Sequence, residues 1–180
     1  MLLSIQQQYI LDTLRRLRCV RADQLLTLTR EKFRPQGIEI TQSRMDVMLR
    51  QLRSFNNDIR ADVGLVHLAG IQPDSRRLEA VDVMLELTGG APEEFGCSHA
   101  PPPFLLRFAV ARPDLRFFTV GTLSGAGKEH LGWLAPGGPG RVIWISDSGV
   151  PPEGLVLPPE HFFAARQRDG THRFYGSTGP

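Results

Sequence analysis

The sequence predicts an α+β protein in two parts: a helical module ending in a hairpin over residues 1–70, and a small helix-and-sheet domain over residues 71–180. Three observations predict it. Apolar residues recur at helical spacing in three successive segments before residue 56. Strand-like apolar runs dominate after residue 103. Positive charge is concentrated at the start, where residues 1–60 hold eleven Lys and Arg against six Asp and Glu, leaving ten against thirteen for the rest.

Taken in order, Ile5, Tyr9, Ile10, Leu14 and Leu17 mark an amphipathic helix that Ser4 can cap. Arg15, Arg16 and Arg18 stand near its end, where cations complement the helix dipole. VRADQLLTLTREKF reads as a second helix carrying Val20, Leu25, Leu26 and Leu28, broken by Arg34 to Gly37. The third is the best defined, with Thr41 as N-cap and Met45, Met48, Leu49, Leu52 and Phe55 on one face. Two short strand-like runs follow, Asp58 to Ala61 and Leu65 to Leu68. Three short helices and then a hairpin is the order of a winged helix-turn-helix, whose third helix enters the major groove.

Ile71 to Ser75 reads as a linker and Arg76 to Leu87 as a fourth helix stopped by Gly89 and Gly90. Ala91 to Pro103 reads as loop. Strands are expected at Phe104 to Ala111 and Arg116 to Leu123, joined by a turn at Arg112 to Leu115. A short helix is possible at Lys128 to Leu134, a flexible loop at Ala135 to Gly140, and a strand at Arg141 to Ser146. A last hairpin, Phe162 to Arg168 and Thr171 to Tyr175, has Asp169-Gly170 as an expected two-residue type I′ turn. The order helix, strand, strand, short helix, strand resembles the core of the restriction-endonuclease-like fold.

Composition sets outer limits. A chain of 180 residues with 41% hydrophobic content can bury a core, and 22% charged residues is ordinary for a globular protein. No apolar stretch approaches the roughly 18 residues of a membrane span, and the N-terminus lacks a signal-peptide core. Cys19 and Cys97 lie far apart with no ligand or disulfide spacing, so a cytoplasmic location is expected.

Few motifs carry chemistry. FFTVGTLSGAGKEH, from Phe117 to His130, outlines a phosphate loop but fails its spacing. Thr122 stands where the first glycine is needed, and Glu129 replaces the magnesium-binding hydroxyl. The antiparallel hairpin expected before it also argues against the parallel setting such loops require. Cys97-Ser98-His99, His130, His161 and His172 show no paired spacing, so no metal is assigned, and no cofactor either. Nucleases of the endonuclease-like fold hold Mg²⁺ with an Asp on one strand and (D/E)-x-K on the next. FLLRFAVA and RFFTVGTL contain no acid, so no catalytic residues are assigned. The residues expected to touch DNA are Gln42, Ser43 and Arg44 at base edges, Arg50 and Arg53 at phosphates, and Arg60 on the hairpin.

IQQQYILDTLRRLRCVRADQLLTL, LEAVDVMLELTGG, PFLLRFAVA, RFFTVGTL and RVIWISDS resemble an uncharacterised family of bacterial mobile-element proteins similar to replication-relaxation proteins. These pair a winged helix with a nuclease-like domain. The resemblance implies a part in replication, transfer or regulation of a plasmid or integrative element. The leading expectation is therefore a non-catalytic protein that binds double-stranded DNA, with a homodimer or protein partner engaged through the second domain. Two alternatives are a metal-dependent nuclease with displaced acids such as Asp82, Glu86 or Glu129, and a winged-helix adaptor for an acidic protein partner.

Overall fold

The computed structural model describes residues 2–99, 102–111, 115–123, 141–147, 157 and 160–176. Helix α1 (Ile5–Leu17) begins in a capping box: Gln7 N–H donates to Ser4 Oγ while Ser4 N–H donates to Gln7 Oε1. The expected second helix starts late. Cys19–Arg21 instead forms strand β1, and α2 runs Ala22–Phe33, followed by one 3₁₀ turn. Helix α3 (Gln42–Phe55) is capped by Thr41 Oγ1, which accepts the Arg44 N–H. Strands β2 (Ile59–Asp62) and β3 (Leu65–Leu68) form the hairpin, and β1 pairs antiparallel with β3 to give the order β1-β3-β2. At the hairpin tip Val63 has φ +33°, a conformation costly for a β-branched residue, and its side chain is fully exposed.

Helix α4 (Ser75–Thr88) is capped by Asp74 and stopped by Gly89 and Gly90, both at positive φ. A six-stranded mixed sheet follows: β4 (Phe95–Cys97), β5 (Phe104–Val110), β6 (Arg116–Thr122), β7 (Arg141–Ser146), β8 (Glu160–Arg166) and β9 (His172–Gly176). Its spatial order is the chain order, with β6, β7 and β8 parallel and the other neighbours antiparallel. Two expectations need correction. The run Ala91 to Pro103 is not all loop, because β4 pairs there with β5. Strand β6, antiparallel to β5, is parallel to β7 on its other side, so the neighbouring hairpin was no argument against a phosphate loop; the spacing argument alone stands. The expected turn at 112–115, apart from Leu115, and the expected helix and loop at 128–140 lie outside the described residues.

The last hairpin also differs from expectation. Gln167 N–H donates to Thr171 O and Gly170 N–H to Gln167 O, which leaves three loop residues. Gly170, at φ +86°, occupies the left-handed position, and Asp169 Oδ1 accepts from Thr171 N–H and Oγ1–H. The Asp-Gly chemistry is used, in a turn one residue longer.

Helix α4 joins the two halves of the core. Its buried Ala80, Val81, Val83 and Met84 belong to one apolar cluster with Leu14, Leu25 and Leu52 from the first helices and Leu106, Phe108 and Ile143 from the sheet. Arg21, at the start of α2, donates to both Asp82 carboxylate oxygens at 2.9 and 2.6 Å, and the Gln24 amide donates to the same group at 2.8 Å. A second cluster, Phe104, Val142, Trp144 and Phe163 among its members, lies apart from it. Among the described residues no helix is long and apolar enough to cross a membrane.

Candidate nucleic-acid interface

Helix α3 is held by one face only. Met45, Met48, Leu49 and Leu52 are buried, so everything within about 90° of the opposite direction faces solvent. Ser43, Val47, Arg50 and Ser54 form the centre of that exposed stripe. Arg44 and Arg53 are about 180° apart around the axis, one on each flank. All six residues expected at the interface, Gln42, Ser43, Arg44, Arg50, Arg53 and Arg60, are exposed.

Their local partners are mostly backbone oxygens. Arg44 Nη1 donates to the Glu39 carbonyl at 3.1 Å, Arg50 Nε to the Asp46 carbonyl at 3.4 Å, and Arg60 Nη1 to the Asn57 carbonyl at 2.5 Å. Gln42 donates its amide to Asp46 Oδ1 at 2.8 Å, a neutral hydrogen bond to the one carboxylate on this helix. Among the described residues none of Arg44, Arg50, Arg53 and Arg60 forms an ion pair. Arg15, Arg21, Arg34, Arg141 and Arg166 all do. Helix α3 therefore carries three arginines against one aspartate, an excess of positive charge.

One residue departs from the sequence reading, and a second was not singled out by it. Phe55, expected on the apolar face, is 59% exposed, because the last turn of α3 runs past the core. Val47, which the apolar pattern did not single out, is 43% exposed in the middle of the stripe. A lone valine among polar neighbours gives no periodic signal.

A second polar site lies where Thr122, Asp147 and Arg166, at or just past the carboxyl ends of β6, β7 and β8, meet α4. Arg166 grips Glu79 through Nε at 2.6 Å and Nη2 at 2.5 Å. The buried His172 ring lies between Glu86 Oε1 at 2.9 Å and Glu79 Oε1 at 3.2 Å. Burial works against charge on this imidazole, but the two carboxylates outweigh it and raise its pKa. Burial likewise raises Glu79, and His172 and Arg166 outweigh that and bring it down to about 2. The acids proposed for displaced metal chemistry are thus engaged: Glu86 with His172, and Asp82 with Arg21 and Gln24. Glu129 lies outside the described residues. Among the described residues no three His, Cys, Asp or Glu side chains are grouped to hold a metal ion. Cys97 Sγ contacts the Leu17 carbonyl at 3.6 Å.

The signs of these shifts fix a pH profile. The raised His172 contributes stability that is complete below its ordinary value of 6.5 and is lost as pH climbs through its folded value. The lowered Glu79 contributes stability that is complete above 4.5 and is lost as pH falls towards about 2. Thermal melts across pH are expected to show this cluster's contribution at its maximum between 4.5 and 6.5. His172→Gln is expected to abolish the decline on the alkaline side, and an unchanged decline would exclude His172 as its source.

Comparisons of the chain with protein-family models, with curated proteins and with solved structures find no match.

Proposed function

We propose that the protein binds double-stranded DNA through α3 and the β2–β3 hairpin, without catalysis, as a winged helix. The observation that carries this reading is the exposed α3 face, whose three arginines have no carboxylate partner among the described residues. Its topology supports it too: three helices and a hairpin, with β1 between the first two helices paired to β3, is the arrangement expected of a winged helix.

The helical geometry favours exchanging two of the roles expected from sequence, moving Arg44 from a base edge to phosphate and Arg50 from phosphate to a base edge. Arg44 and Arg53, on opposite flanks, suit the phosphates of the two strands bordering a major groove. Arg50, in the centre beside Ser43, suits a base edge, and Val47 suits a thymine methyl. Arg60, on β2, suits the backbone beside the groove.

The second half is read as an endonuclease-like core without its catalytic centre. Strands β5 and β6, where that fold keeps its acids, read FLLRFAV and RFFTVGT. A place in the replication, transfer or regulation of a mobile element rests on the family resemblance, and the sheet half is the part proposed to meet a second copy or a protein partner.

An electrophoretic shift with a mixed-sequence duplex of about 20 base pairs at low salt tests the reading. A shifted complex is expected, weakened by Arg60→Ala. Absence of any complex at low salt, with the protein folded, would remove DNA binding from the account.

A further inference from the structure

We propose that a cleft lined by no residue of α3, between the end of α1 and strands β4, β5 and β6, binds single-stranded nucleic acid. This goes beyond the duplex reading and does not depend on it. The cleft encloses ≈580 Å³ and draws Arg15, Arg16 and Arg18 from α1 and Arg107 from β5. Two glutamates, Glu93 and Glu94, line it as well, so four guanidiniums face two carboxylates. Arg15 is offset by Asp12 at 3.3 Å, whereas Arg16, Arg18 and Arg107 form no ion pair among the described residues. All three are exposed.

Two of these arginines lie on aromatic rings. The Arg107 guanidinium carbon sits 4.3 Å from the Phe117 ring centre, and that of Arg16 sits 5.6 Å from the Phe95 ring centre. A guanidinium over a ring can present its free face as a planar, cationic platform. That platform can stack an unpaired base while neighbouring charges meet the phosphates. A duplex keeps its bases stacked inside and gains nothing from such a platform, which is why the single strand is the favoured occupant.

The backbone at the rim points the same way. Arg18 is a non-glycine residue at φ +65°, a conformation that L side chains rarely adopt. It is pinned there by its own N–H donating to Leu14 O and by its carbonyl accepting from Leu68 N–H. A glycine would meet this backbone demand more easily, yet the position carries a cationic side chain lining the cleft. Helix α1 comes close to β4 beside the cleft: a Cβ added at Gly96 would lie 3.8 Å from both Arg16 Cβ and the Arg16 carbonyl oxygen.

The test is fluorescence anisotropy with a labelled oligothymidylate and with a duplex of the same length, over a salt series. Arg107→Ala and Arg18→Gly are each expected to weaken single-strand binding about tenfold and to leave duplex binding unchanged. Arg18→Gly is expected to do so without lowering the melting temperature, since it relieves the strained backbone. Arg107→Lys is expected to keep the salt slope and still lose affinity, because the charge stays and the plane does not. The α3 variant Arg44→Ala/Arg53→Ala is expected to lose duplex and retain the single strand, so failure of either site shows separately. Single-strand affinity unchanged in the folded cleft variants would overturn the proposal, as would equal loss of single strand and duplex.

Discussion

Replacing Arg44 and Arg53 together by alanine is expected to lower duplex affinity about a hundredfold at low salt, uniformly over sequence. Each guanidinium stands exposed on one flank of α3 and has no carboxylate to neutralise it among the described residues. A charged hydrogen bond to phosphate is worth about 1.5–3 kcal/mol, and two lost contacts at the lower end of that range, as suits solvent-exposed groups, account for that factor. Phosphates carry no sequence information, so a specific site and a random one should lose alike. Arg50→Ala should behave differently. Its place in the centre of the stripe makes it a base contact, and its loss should cost about 1–3 kcal/mol at one base pair and relax preference there. Neither change touches the buried Met45, Met48, Leu49 and Leu52, so melting temperatures should hold. Binding assays on two unrelated duplexes check both statements.

Phe108→Ala is expected to destabilise the whole protein by about 3–5 kcal/mol. Phe108 is 0% exposed on β5, stacked on Phe118 with ring centres 5.7 Å apart. It shares one apolar cluster with Met84 of α4, and through α4 with Leu14 and Leu25 of the first helices. The Arg21–Asp82 pair and the Gln24 bond tie α2 to α4 across the same boundary. Because the core is continuous, calorimetry should record one transition for helices and sheet together, shifted down as a unit in the variant. Two transitions, with only the later one shifted, would mean that the halves unfold independently.

What the sequence revealed and what it hid follow from range. Helices α1 and α3 were legible because their caps and apolar spacing are local: Ser4 and Thr41 lie next to the residues they cap. Strands β1 and β4 were not. Cys19–Arg21 reads as the start of a helix until it meets Leu65–His67 of β3, and Phe95–Cys97 hides in a Pro- and Gly-rich run until it meets Leu106–Phe108 of β5. No local pattern encodes such pairings. The same holds for the sites. The arginines of α3 share one helix, so their common exposure could be counted off the sequence. Arg16 and Arg107 meet at one cleft only through the fold, and His172 reaches Glu86 across 86 residues. Phe55 was misjudged because spacing gives the direction of a side chain but not how far the core extends beneath it.

Duplex affinity measured against salt concentration tests the central claim most directly. Phosphate contacts release counterions, so log affinity should fall linearly with log salt at about −0.9 per contact. With Arg44, Arg53 and Arg60 on phosphates, the expected slope is about −3, reduced to about −1 in Arg44→Ala/Arg53→Ala. A slope near zero, or the same slope in the variant as in the unaltered protein, would contradict duplex binding through α3.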